Sequence, residues 1–274
     1  MSDSPARYMF SGHVLGASAR FHRLDDASVN EVVPAVGSAA LAATGGRAAS
    51  RLEGPFRYDV SHPRQRCLLR VEEADTWVEG RDPDGRFETE LSVDVSGIHV
   101  LEKFHIDNVH LHMLAIRNGM ENVATVSTKG SRVEGMRMGN VTAKITFDDE
   151  PLTFTGSKDQ LAGFWRGRSA DYKRQHGWRF HTTPDGSELA DDHGHHRFSL
   201  VSGIELIGPQ DEQHPITVTG NLIYWKGFGR IILGEVHVKG QERRVCMVRL
   251  AMGSDGGGDG TTGGGGSNGG GTTG

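Results

Sequence analysis

A chain of 274 residues is long enough for one large domain or two small ones, and for a substantial core. Its 36% hydrophobic and 24% charged residues are those of an ordinary globular domain, which excludes global disorder. A formal net charge of −5 excludes a surface built wholly for polyanions, so nucleic acid is left only a local basic patch.

The opening residues, MSDSPARYMF, lack a basic start and an apolar run. No apolar stretch reaches the roughly 18 residues that span a bilayer. The expectation is a soluble, cytoplasmic protein without a membrane span. Residues 32–54 show neither a clean period nor many charges and read as a long covering loop with at most one helical turn. Two cysteines, Cys67 and Cys246, are too few for a disulfide framework. Each alternates with apolar neighbours (Leu69 and Val71; Val248 and Leu250), which predicts buried thiols on strands.

Alternation by twos dominates the chain beyond this loop. Phe87, Thr89, Leu91, Val93 and Val95 face one way and Glu88, Glu90, Ser92 and Asp94 the other, as in a half-buried antiparallel strand. The preceding RDPDGR supplies turn residues, so 66–80 and 86–95 are expected to pair as a hairpin. In FHIDNVHLHMLAI, His110 and His112 share a face with Leu114 and Ile116 while Val109, Leu111 and Met113 form the other. Both faces are partly apolar, which predicts a central strand with two imidazoles looking into a semi-buried space. The glutamate and third histidine that strand-borne metal enzymes place at fixed spacing are absent, and core histidines satisfied by hydrogen bonds are the plainer reading.

NVTAKITF reads as a strand with Val141, Ala143, Ile145 and Phe147 inward, and Asp148, Asp149 and Glu150 as a turn before Pro151. One prominent helix is expected near 157–176. Ser157 is an N-cap with Gln160 three residues on, Leu161, Phe164, Trp165 and Tyr172 recur at helical spacing, and Gly177 is a stop. Arg166, Arg168, Lys173 and Arg174 interleave with these aromatics. That mixture can hold phosphates and stack bases, although an amphipathic helix packed on a sheet has the same composition.

The most chemical-looking stretch is ADDHGHHRF, with Asp191, Asp192, His193, His195 and His196. Histidine and aspartate are good ligands for a divalent metal, but a site needs three or four converging from fixed positions. Gly194 loosens the segment, and a solvated loop leading into a strand is the alternative. Residues 229–252 read as two strands around a turn at Lys239 and Gly240. Faint echoes (VSGIHVL at 95–101, VSGIELIG at 201–208) suggest two related halves, 1–150 and 196–252, joined by the helical region. From Gly253 the composition collapses to glycine with a few small polar residues, the signature of a disordered tail.

Searches for GxSxG, P-loop, GxGxxG and HExxH find nothing. The expected fold is all-β and mainly antiparallel, a barrel or two-sheet sandwich over 1–252, with one helix and a disordered tail. The leading functional expectation is a non-enzymatic binding or assembly protein with a protein partner or a second copy. The first alternative is a metal-dependent or small-molecule enzyme with a histidine-lined barrel interior at His110 and His112, the loop at Asp191, His193, His195 and His196 completing the site. The second is an anionic-polymer binder using Arg166, Arg168, Lys173 and Arg174.

Overall fold

The computed structural model describes residues 8–24, 27–60, 66–119, 124–177, 195–239 and 242–252. In chain order its strands are β1 (His13–Leu24), β2 (Ala27–Ala40), β3 (Gly46–Arg51), β4 (Phe56–Val60), β5 (Arg66–Val71), β6 (Glu73–Arg81), β7 (Arg86–Val100), β8 (Phe104–Asn118), β9 (Thr125–Ser127), β10 (Arg132–Glu134), β11 (Met136–Met138) and β12 (Val141–Phe147). Helices α1 (Glu150–Thr153), α2 (Lys158–Arg166) and α3 (Ala170–Gln175) come next. The remaining strands are β13 (His195–Ser199), β14 (Val201–Ile207), β15 (Ile216–Thr219), β16 (Leu222–Trp225), β17 (Gly229–Lys239) and β18 (Glu242–Met252). The described pairings are all antiparallel, so the all-β, antiparallel expectation holds.

An eleven-stranded sheet runs β14-β12-β11-β8-β7-β5-β4 with β3, β6, β9 and β10 attached, and a five-stranded sheet runs β13-β17-β16-β15 with β18 on β17. Their inner faces share one core. Phe104, Ile106, Met136 and Met138 of the first meet Ile223, Trp225, Ile231 and Leu233 of the second, with Phe104 and Phe228 rings 5.9 Å apart. This is a two-sheet sandwich; no closed ring of strands forms among the described residues. A second cluster (Leu152, Leu161, Trp165, Phe198, Val236, Val238) lies beneath the helices.

The chain changes sheet at Leu200. Its N–H donates to Gly234 O of the five-stranded sheet, and its carbonyl accepts from Asp148 N beside the larger one. Gly234 has φ +58°, and a Cβ there would press on Val201 Cγ2 at 3.0 Å and Ser199 Oγ at 3.3 Å. Only glycine holds that conformation without strain. Because β14 pairs with β12, the regions 1–150 and 196–252 interlock through this crossing.

Three expectations need correction. Residues 32–54 are not a covering loop: they include most of the long strand β2 and all of β3. The β1/β2 ribbon does lie over the larger sheet, burying Val14, Val33, Val36 and Ala39. Its period was hidden by register shifts between Ala17 and Ala19 and between Phe21 and Arg23, and by Gly37 at φ +64°. The expected hairpin of 66–80 with 86–95 forms instead between β6 and β7. Arg66–Val71 is a separate strand, β5, which pairs with β4 and with the far end of β7. The helix near 157–176 is two helices. Gly167 caps α2, and Ser169 opens α3 by accepting from Tyr172 N, a second capping signal inside the run. No helix among the described residues is long and apolar enough to cross a membrane. Residues 253–274 lie outside the described residues.

Candidate functional site

β7 and β8 pair without a break from Arg86↔Asn118 to Val100↔Phe104, yet their buried sets change parity. Leu91, Val93 and Val95 give way to Val100 on β7, and Leu111 and Val109 to Ile106 and Phe104 on β8. Gly97, at φ +60°, sits at the change. The other face therefore carries His110 and His112 opposite to Val109 and Leu111. These two imidazoles do not line an interior, as the first alternative required. His110 Nδ1 lies 2.5 Å from Asp94 Oδ1, and His112 Nε2 2.9 Å from Glu90 Oε1, with ring exposures of 19% and 29%. Along this stretch the polar residues of β8 turn toward carboxylates of β7 across the pair.

Histidine–carboxylate pairs recur on the opposite face toward the hairpin end, where His105 and Asp107 share the parity of Val109 and Leu111. His105 Nε2 lies 2.5 Å from Asp107 Oδ1, and Arg137 donates to the same oxygen at 2.8 Å. The His105 hydrogen bond holds the Asp107 carboxyl below its usual range. His105 Nδ1 lies 3.2 Å from Nδ1 of His99, whose imidazole is pushed down by burial, His105 and Arg70. Ser92 Oγ donates to Asp94 Oδ2 at 3.3 Å. The serine thus bonds the carboxylate and not the imidazole, so Ser92, Asp94 and His110 do not form a nucleophile activated by a base. A shallow cavity of about 130 Å³ lies beside Asp94, lined also by Glu73, Asp75 and Asn108.

The basic aromatic run resolves into a packed layer. Trp165 is fully buried against Phe198, with ring centroids 5.3 Å apart. Arg168 bonds Glu150 and stacks over Phe164 and Tyr172, 4.4 and 5.0 Å from their centroids. Arg174 pairs with Asp171 at 3.2 Å, while Arg166 is exposed and bonds Ala162 O. Lys173 is half-buried on α3. Two of the four cations, Arg168 and Arg174, are thus tied to carboxylates of the chain itself.

Of the metal-ligand candidates in ADDHGHHRF, Asp191 and His193 lie outside the described residues. His195 and His196 belong to β13, in register with Lys239 and Val238 of β17. His196 is 5% exposed and on the strand face of Phe198, beneath the helices and on the other sheet from His110 and His112. Among the described residues, no group of three or more His, Cys, Asp or Glu converges as metal ligands do.

A cluster under the helices was not anticipated. Tyr172 Oη donates to Asp148 Oδ2 at 3.1 Å and to Glu150 Oε2 at 3.3 Å. His176, fully buried, donates from Nδ1 to Ser199 O at 2.8 Å, and its Nε2 lies 3.5 Å from Asp148 Oδ2. Burial, then the charge of Asp148, raises the Tyr172 hydroxyl well above its ordinary value. Asp148 and Glu150 thus turn toward the helices while Asp149 faces the other way. It lines a cleft of about 170 Å³ with Thr128, Lys129, Ser131, Phe147 and Leu200. Both cavities are below the roughly 300 Å³ of ordinary small-molecule sites.

Besides the longer β1 and β2, which pair only with each other, the longest strand with a single described partner is β18. Its eleven residues pair with β17 along their whole length and with no other described strand.

Together these features define an all-β sandwich protein with a helical cap and histidine–carboxylate pairs along β7 and β8. The chain belongs to the family described as a domain of unknown function (DUF8256), which matches residues 9–239. That span ends at Lys239, just before β18. No curated protein and no solved structure matches the chain.

Proposed function

We propose that this is a non-enzymatic binding and assembly protein, and that it assembles by adding the β18 edge of a second copy to its own. The observation that carries this reading is the one-sided pairing of β18. An edge presents a row of backbone donors and acceptors, which another strand can satisfy. Val245, Cys246, Met247, Val248, Leu250 and Met252 make this edge apolar over most of its length.

A second copy suits it because the strand is compatible with its own antiparallel image, as a two-fold interface requires. Centred on Met247, the pairing sets Arg244 against Leu250, Val245 against Arg249 and Arg243 against Ala251, so no two like charges stand directly opposed. We read the setting as soluble and cytoplasmic. Two free thiols suit a reducing compartment, and burial with the nearby Glu235 pushes the Cys246 thiol up to about 11, far from reactivity at neutral pH.

Sedimentation velocity on the full chain tests the assembly, with Leu250→Lys and Leu250→Glu as probes of register. Lysine would face Arg244 of the second copy and glutamate would pair with it, at two symmetric positions. With each cross-strand charge pair, attractive or repulsive, contributing roughly 0.2–1 kcal/mol, Leu250→Glu is expected to dimerise at least about four-fold more tightly than Leu250→Lys. A monomer at every concentration, or two variants that dimerise equally, overturns the proposal.

A further inference from the structure

Near the tip of the β7/β8 hairpin, on the sheet face away from His110 and His112, lies a closer histidine pair. His99 and His105 are direct cross-strand partners. Their ring centroids lie 4.1 Å apart at 48°, and their Nδ1 atoms 3.2 Å apart. The other nitrogen of His105 lies 2.5 Å from Asp107 Oδ1. A carboxylate accepts, so in the neutral ring Nε2 carries the proton and Nδ1 presents its lone pair toward His99. Metal-ligating imidazoles are held in this way, with one nitrogen donating to a carboxylate and the other free for the cation.

The spacing suits a cation as well. Two nitrogens bound tetrahedrally at about 2.0–2.1 Å stand about 3.3–3.4 Å apart, so a small ring rotation brings both lone pairs onto one ion. The carboxylate is itself fixed. Arg137 donates to Asp107 at 2.8 Å, and Gly135, at φ +62°, has no Cβ where that carboxylate lies.

We propose that His99 and His105 form a two-imidazole site for a first-row transition-metal cation of the zinc, nickel and copper group, with Asp107 as the positioning residue. Nitrogen ligands select these cations over magnesium and calcium, which take oxygen. No third ligand converges among the described residues, so water completes the coordination sphere and the metal exchanges readily.

Equilibrium dialysis against Zn²⁺ tests this, using the full chain with His193→Ala and His195→Ala so that the other histidine-rich stretch of the sequence does not compete. One zinc per chain is expected in that background. Binding should be at least ten-fold weaker with either His99→Gln or His105→Gln added, and about ten-fold weaker with Asp107→Asn, while thermal unfolding checks that each variant is folded. In the background chain, zinc should also perturb the ring resonances of His99 and His105 in NMR spectra, a readout that holds if a Gln variant fails to fold. Zinc binding unchanged by both Gln substitutions, zinc lost entirely with His193 and His195, or ring resonances of His99 and His105 that ignore zinc would each overturn the proposal.

Discussion

Arg249 grips Glu235 through two parallel hydrogen bonds across the β17/β18 pair, Nε to Oε2 at 2.9 Å and Nη2 to Oε1 at 3.1 Å. Arg197 of β13 bonds the same carboxylate, and His237 Nε2 lies 3.4 Å from it. Glu235 thus ties β18 to β13 through β17 while only 4% exposed. A buried, fully partnered charge of this kind fixes geometry more than it adds net stability, and removing one partner leaves the others uncompensated.

Glu235→Gln is expected to cost ~3–5 kcal/mol in urea unfolding. Burial alone would raise this carboxyl, but the His237 hydrogen bond and the Arg249 and Arg197 charges hold it at about 2. A depressed folded value means that the contribution is complete above the unfolded value of about 4.3 and is lost as pH falls through the folded one. The gap in stability between the native protein and the variant should therefore narrow between pH 5 and about pH 2. An equal gap at both ends of that window would refute the assignment.

Gly234→Ala should destabilise the sheet crossing by about 1–3 kcal/mol, because alanine must take a left-handed conformation against Val201 and Ser199. Gly203→Ala is the control. A Cβ there meets Thr146 at an ordinary 3.7 Å, so its unfolding temperature should stay near that of the native protein. Equal losses at the two glycines would count against the crossing as the strained point.

Trp165→Ala should cost ~3–5 kcal/mol, as the loss of a fully buried aromatic does. Arg166→Ala and Arg174→Ala should each stay within about 0.5 kcal/mol. Denaturant unfolding separates these outcomes. Arginine losses as large as that of the tryptophan would mean that the basic face, and not the aromatic one, anchors the helices.

Tyr172→Phe removes a hydroxyl that bonds two carboxylates and should cost about 1.5–3 kcal/mol. With its folded value raised, Tyr172 contributes stability fully present below the ordinary tyrosine value and lost as pH rises above it. In an ultraviolet titration of the native protein, Tyr172→Phe should abolish the most alkaline tyrosine step. A titration in which that step survives would place Tyr172 in solvent.

Much of the fold was legible because alternation survives wherever a strand has one wet face. Leu91, Val93 and Val95 of β7 and Val141 and Ala143 of β12 are buried as their spacing predicts, and Ser157 caps α2 as its spacing from Gln160 predicts. The β1/β2 ribbon was illegible because register shifts and Gly37 break its period. The site was harder still, since its logic lies between distant residues. His110 meets Asp94, 16 residues away, and Tyr172 meets Asp148, 24 away. Asp148, Asp149 and Glu150 look like a turn until helix packing sends two of them one way and the third the other. For His99 and His105, the Ile-His and Phe-His steps at the ends of two strands were the only signal, and it acquires meaning once the register is known.

The most direct measurement is hydrogen exchange of the backbone amides in residues 242–252 at two protein concentrations. Strand addition between copies predicts slower exchange along β18 at the higher concentration, with β15 and β4 unchanged. Exchange along β18 that is identical at both concentrations would contradict assembly through this edge.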